Sequence, residues 1–242
     1  MDNRLLDFMT ALERTTNLAT AWSETVAALV ALGADDIIYG TAQTLTEINF
    51  RTTVPDWWMG HYQDNGYGLH DIQARHAVTK IAPATLDITA VPARSDLTDQ
   101  EKKVSMEFSE TGVRQAVTIP LRLPFAPGSV GGFSILSKSH RPDFEKWLNE
   151  NGAAVHLTAV LAHTTIQHLS LEERRAEISL TDREKECLLW IAKGLRTGRI
   201  AERLGLADVT VSLHLSNARK KLGAATREQA VAQAIMLQLI TP

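Results

Sequence analysis

Leu180-Thr-Asp-Arg-Glu-Lys-Glu-Cys-Leu-Leu-Trp-Ile-Ala-Lys-Gly194, followed by Ile200-Ala-Glu-Arg-Leu-Gly205 and by Thr210-Val-Ser-Leu-His-Leu-Ser-Asn-Ala-Arg-Lys-Lys-Leu-Gly223, decides how this chain is read. Thr181 precedes a helical pattern and Glu184 stands three residues on, a capping box that opens a helix through Cys187, Leu188, Trp190 and Ile191. Gly194 suits the left-handed position that ends it. Thr197 is placed to cap a second helix bearing Ile200, Ala201 and Leu204, which turns at Gly205. A third helix runs from about Asp208 to Leu222 on Val211, Leu215, Ala218 and Leu222, and a fourth starts near Thr226 on Ala230, Ala234 and Leu237. Two short helices, a glycine turn and a third helix with polar residues outward is helix-turn-helix spacing.

Working outward, charge changes at this segment. Residues 1–168 hold 13 Lys+Arg against 19 Asp+Glu, and residues 169–242 hold 12 against 9. A basic part next to an acidic one suggests that the basic part meets a polyanion. On the third helix Thr210, Ser212, His214, Ser216 and Asn217 are expected on or beside the outer face. Lys220 and Lys221 lie at its C-terminal end, suited to phosphates. Thr197 and Arg199 sit at the start of the second helix, where free N–H groups attract anions. A small bundle with a solvated basic face fits the same helix pattern.

The motifs resemble the LuxR-type helix-turn-helix over residues 178–240, with Trp190-Ile-Ala-Lys-Gly194, His214-Leu215, Lys221-Leu-Gly223 and Arg227-Glu-Gln-Ala230 all in place. The resemblance implies double-stranded DNA as partner, with Glu184, Leu188 and Gly194 serving the scaffold. It also implies that Ser212 and Ser216 occupy positions where long basic residues often touch bases. Serine hydrogen-bonds several base edges, so the target sequence stays open.

The acidic part reads as α+β: helices at 3–14 and 17–32, strands at 36–42 and 45–50, helices at 55–65 and 70–80, then one from Ser95 or Thr98. Strands at 113–123 and 129–137 are joined by the hairpin signal Pro124-Phe-Ala-Pro-Gly128, and a long helix starts at Arg141. The expected architecture is an N-terminal α/β/α sensor sandwich with an antiparallel sheet, residues 1–168, a linker at 169–177, and an all-α four-helix domain at 178–242. The helix at Asn151–Leu169, with Val155, Val160, Leu161 and Ile166, is the expected homodimer surface in the sensor; packing only on its own sheet fits the same apolar pattern.

Val54-Pro-Asp-Trp-Trp58-Met-Gly-His-Tyr62, with Asp71 beyond it, carries the chemistry. Trp58 and Tyr62 are one helical turn apart on one face. An indole N–H donates to a carbonyl, a tyrosine ring lines an apolar channel, and a carboxylate accepts an amide N–H. Core aromatics beside a helix-capping Asp give the same pattern. This part is similar to the acyl-homoserine-lactone-binding domain of quorum-sensing regulators over roughly residues 5–165. That implies a small-molecule autoinducer, with Trp58 on the lactone carbonyl, Asp71 on the amide N–H and Tyr62 along the acyl side. Val54 stands where the family has a pocket tyrosine, Leu86 at its second tryptophan, Ile72 at a proline, Ala116 at a glycine and Ile135 often at a hydroxyl residue, so a more aliphatic cavity is implied.

Several classes are excluded. Asp35-Asp36 precedes a strand and follows two helices, which is not the acidic pair of a phosphoacceptor receiver. His70 and His76 are six apart and fall on different helix faces, so with His61 and Asp71 they make no metal site, and none is expected. Gly128-Ser-Val-Gly-Gly132 has no helix after it to cradle phosphate, and no nucleophile elbow or paired catalytic carboxylates occur, so neither enzyme chemistry nor a cofactor is expected. The lone Cys187 forms no internal disulfide, no apolar run reaches the ~20 residues of a membrane span, and Met1-Asp-Asn-Arg begins no signal peptide. A cytoplasmic protein is expected. The alternative function is a regulator that needs no ligand, or a protein-interaction antagonist of a related receptor.

Overall fold

The computed structural model describes residues 3–44, 47–122 and 130–242. The chain forms two compact units, Met1–Gln167 and His168–Pro242.

In the first unit, α1 (Asn3–Glu13) and α2 (Leu18–Ala31) lead into β1 (Asp36–Thr44) and β2 (Glu47–Thr52). Then come α3 (Asp56–Asp64), α4 (Ile72–Thr79), β3 (Ala84–Asp87), α5 (Asp99–Phe108), β4 (Gln115–Arg122), β5 (Val130–Ser137) and the start of α6 (Arg141–Ala176). Local chemistry sets the boundaries. The Asn17 side chain accepts from Thr20 N at 2.9 Å at the start of α2, and Thr98 with Glu101 closes a full capping box on α5. The sheet order is β2-β1-β5-β4-β3, every pair antiparallel.

Strand periodicity divides this sheet into two faces. The pairs Ile37↔Ile135, Tyr39↔Phe133 and Ile119↔Phe133 belong to one face, and Ile38↔Ser134, Gly40↔Gly132 and Thr118↔Ser134 to the other. Both faces are covered, so β4 and β5 are almost continuously buried. On the first face α6 lays down Val155, Ala159, Ala162, His163 and Ile166. His163 Nδ1 meets Tyr39 OH at 2.9 Å, and a Cβ on Gly131 would stand 2.7 Å from the His163 ring. Each fully buried large apolar side chain contributes ~1.5–3 kcal/mol here. Since Val155 and Ile166 are spent on the chain's own sheet, only part of the apolar set expected at a dimer surface remains outside.

Two expectations change, and a third lies outside the described residues. β3 was not foreseen, because Ala84-Thr-Leu-Asp87 after Pro83 is too short to show a period, and its pairing with β4 supplies the order. Residues 169–177, expected as a linker, carry helical backbone to Ala176. They contain no Gly or Pro, and Glu172 and Arg175 pair one turn apart at 2.6 Å. The hairpin signal Pro124–Gly128, with Leu45 and Thr46, lies outside the described residues.

The second unit contains α7 (Asp182–Ala192), α8 (Thr197–Leu204), α9 (Asp208–Lys221) and α10 (Arg227–Met236). Cys187, Leu188, Ile200, Ala201, Val211, Leu215, Ala218, Ala230 and Ala234 form its core. The Thr181–Glu184 capping box is present, and Gly205 turns the chain between α8 and α9 at φ +65°. Thr197 does not cap α8. Arg196 holds the cap position without a side-chain bond, and Thr197 is already inside the first turn.

Candidate functional site

Between the second sheet face and α3, α4 and α5 lies a partly open cavity. Ile38, Gly40, Gly132 and Ser134 come from the sheet, Trp58, Met59 and Tyr62 from α3, Asp71 to Ala74 from α4, and Leu86, Val104 and Phe108 from beyond. Gly132 is required where α4 crosses the sheet, because a Cβ there would stand 2.8 Å from Ala77 Cβ and 3.1 Å from the Ile119 carbonyl.

The aromatic wall is held by its own neighbours. Trp58 packs against Phe108 at 5.1 Å between ring centroids, and Phe50 meets Tyr62 edge-on at 5.7 Å. Behind Trp58, Glu107 accepts from Tyr67 OH at 2.5 Å and contacts His61 Nε2 at 2.7 Å. These two bonds hold its carboxyl below the usual range. The Trp58 indole N–H makes no hydrogen bond among the described residues although the side chain is buried.

Asp71 is the N-cap of α4. Its Oδ1 accepts from Gln73 N at 2.8 Å and Ala74 N at 3.1 Å, and Oδ2 accepts from Tyr62 OH at 3.0 Å. Burial raises the carboxyl above its ordinary value against the pull of those bonds. The Tyr62 phenol is pushed up strongly, first by burial and then by the adjacent Asp71, so it stays a donor. Thus Asp71 is a helix cap and a cavity carboxylate at once. Oδ2 retains capacity for a further N–H donor.

Of the six residues expected at a ligand, Trp58, Tyr62, Asp71 and Leu86 line this cavity. Val54 does not; it is buried in the cluster behind Trp58. Ile135 is a correction: it pairs with Ile37 and Val117 on the opposite face, under α6. The cavity hydroxyl comes from its neighbour Ser134, which bonds Thr118 Oγ1 at 3.1 Å. A shift of one residue along a strand changes face. Gln73 and Ser105 also line the cavity and were not foreseen; residue type and spacing gave no signal for them.

In the second unit the outer side of α9 differs from expectation. Ser212, His214, Ser216, Asn217 and Thr210 are half-buried, while Val209, Leu213, Lys220 and Lys221 are exposed. Lys221 is not a free cation, since its Nζ pairs with buried Glu184 at 2.8 Å. Lys220 has no ion pair among the described residues. Arg199 pairs with Glu202 one turn on at 2.7 Å, and Thr197 Oγ1 lies 3.4 Å from an Arg227 guanidinium nitrogen.

Residues 17–166 match the family described as autoinducer binding domain, and residues 178–234 match the bacterial regulatory proteins of the luxR family. The transcriptional activator protein VanR of Vibrio anguillarum is 28% identical over 210 residues, spanning 84% of this chain and 80% of that protein. The quorum sensing-dependent transcriptional regulator RpaR of Rhodopseudomonas palustris is 29% identical over 196 residues, spanning 81% and 76%. Among solved structures, Escherichia coli SdiA superposes with a TM-score of 0.73 at 21% identity over 98% of both chains. SdiA in complex with octanoyl-rac-glycerol gives 0.68 at 20%, over 96% of this chain and 93% of that one. At those identities the likeness is one of fold.

Proposed function

The chain belongs to the luxR family of bacterial regulatory proteins that carry an autoinducer binding domain, and from that premise we propose that it senses an acyl-homoserine lactone. Residues 1–168 act as the sensor and 178–242 as the DNA-binding domain of a homodimeric transcription regulator. Family membership already implies a small-molecule ligand and DNA as partners. No helix among the described residues is long and apolar enough to cross a membrane.

One observation carries the ligand reading. A mostly apolar cavity is lined by Trp58, whose indole N–H has no hydrogen-bond partner among the described residues, and by Asp71, whose Oδ2 has a free lone pair. A ligand carbonyl gives that donor a hydrogen bond worth about 0.5–1.5 kcal/mol net. An acylated amide presents that carbonyl, an N–H for Asp71 Oδ2 and a chain for the apolar remainder, at about 0.8 kcal/mol per buried methylene. The octanoyl compound bound by SdiA supports the acyl part of this reading. The dimer follows from the size of the module: one α9 reaches one half-site, and two protomers span half-sites ~10 bp apart or a multiple of that.

The test is thermal stabilisation by a panel of acyl-homoserine lactones of short, medium and long chain. Asp71→Asn preserves the N-cap, because Asn caps as well as Asp. With its one oxygen kept at the cap, its amide nitrogen replaces Oδ2, donates to the Tyr62 hydroxyl oxygen where Oδ2 accepted from it, and sets a donor against the ligand N–H. The variant should melt like wild type without ligand and need about 5- to 150-fold more lactone for the same shift. Equal shifts in both proteins, or none in either, favour the ligand-independent regulator or antagonist.

A further inference from the structure

Resting on the DNA-binding role of α9, we propose that Val209 and Leu213 read thymine in the major groove through its 5-methyl group. The core residues Val211, Leu215 and Ala218 define one side of α9. At 3.6 residues per turn the opposite ridge is Val209, Leu213, Ser216 and Lys220. Val209 is 75% exposed and Leu213 58%, the two most exposed large apolar side chains of the second unit. A single exposed apolar residue is ordinary. Two stacked one turn apart, on the ridge that ends in Lys220, which has no ion pair among the described residues, form an apolar strip beside a cation.

Duplex DNA suits that combination. The major groove admits an α-helix, and within it thymine alone presents an apolar methyl group. Phosphates flanking the groove suit Lys220 and the exposed Arg196, Arg199 and Arg203 of this unit. Ser212 and Ser216, which flank the strip, accept from or donate to several bases and discriminate weakly. The methyl contacts therefore carry much of the sequence preference, and the site should contain thymine opposite Val209 or Leu213 in each half.

The experiment enriches duplexes from a randomised pool with the full chain, with and without the lactone panel. Each thymine of the enriched duplex is then replaced by deoxyuridine, which retains every hydrogen-bonding group and lacks only the methyl. Wild type should lose about fourfold in affinity per substituted contact in each half-site, the value of one buried methyl group. Leu213→Ala and Val209→Ala change exposed side chains and fold normally. One of them should bind the thymine and deoxyuridine duplexes equally. An enriched duplex that is insensitive at every thymine, or a sensitivity that persists in both variants, overturns the inference and leaves DNA binding intact. A pool from which no duplex is enriched overturns the DNA reading itself, and the strip is then a surface for a protein partner.

Discussion

Adjacent lysines at the end of α9 should respond differently to the same substitution. Lys221 Nζ lies 2.8 Å from Glu184 Oε2, and the Glu184 side chain is 3% exposed. Burial acts to raise that carboxyl, but Lys221 and the Thr181 N–H outweigh it and hold it below its ordinary value. Removing one partner of a fully buried ion pair costs about 3–5 kcal/mol. Here the Lys221 side chain is 38% exposed, so water replaces part of the ammonium. Glu184 also keeps its 2.8 Å bond from Thr181 N. Lys221→Met should therefore cost about 1–2 kcal/mol, after discounting for solvent. Hydrogen exchange of peptides covering α7 and α9 in the full chain reads this as roughly 5- to 30-fold faster exchange. The sign with pH follows from the depressed carboxyl. Its stabilisation is present above the ordinary carboxylate value of about 4.3 and is lost as pH falls through the folded value. In the variant the penalty is thus full at neutral pH and fades once Glu184 is protonated. Lys220→Met should leave exchange unchanged and flatten the salt dependence of DNA binding by about one unit of slope. Exchange in Lys221→Met equal to wild type at neutral pH would refute the argument, as would faster exchange in Lys220→Met.

Two further outcomes concern the face of the sheet under α6. Burial lowers the His163 pKa to about 4, so the folded protein binds fewer protons than the unfolded chain between about 6.5 and 4, and stability should fall by about 3 kcal/mol as pH drops through that window. His163→Asn should remove most of that slope in melts at stepped pH; an unchanged slope assigns it to other groups. Gly131→Ala places a methyl 2.7 Å from the His163 ring and 3.3 Å from the Gly40 carbonyl, neither of which has room to move. It should lower stability by about 1–3 kcal/mol, and a melt matching wild type would show that the contact yields.

How much was legible depends on the range of the interaction that decides each feature. Every helix of the second unit is announced by residues within one turn of its ends: the Thr181–Glu184 box, Thr226, and the glycines at 194, 205 and 223. Trp58, Tyr62 and Asp71 were also local, one turn apart and then a cap. Ile135 against Ser134 was not. Both suit a buried strand, and the choice belongs to the pairing of β5 with β1 and β4, which no stretch of eight residues contains. The same holds for α9, where Ser212 and Ser216 look outward by polarity alone. Val211 and Leu215 meet α7 and α8 across the core, and that contact fixes the rotation of the helix. It turns Val209 and Leu213 fully out and leaves the serines half-covered. Polarity states what a side chain tolerates, while packing elsewhere decides what it faces. An apolar pair turned toward water by that packing is therefore better evidence of a partner than a polar pair in the same place, because solvation alone accounts for the polar pair and not for the apolar one.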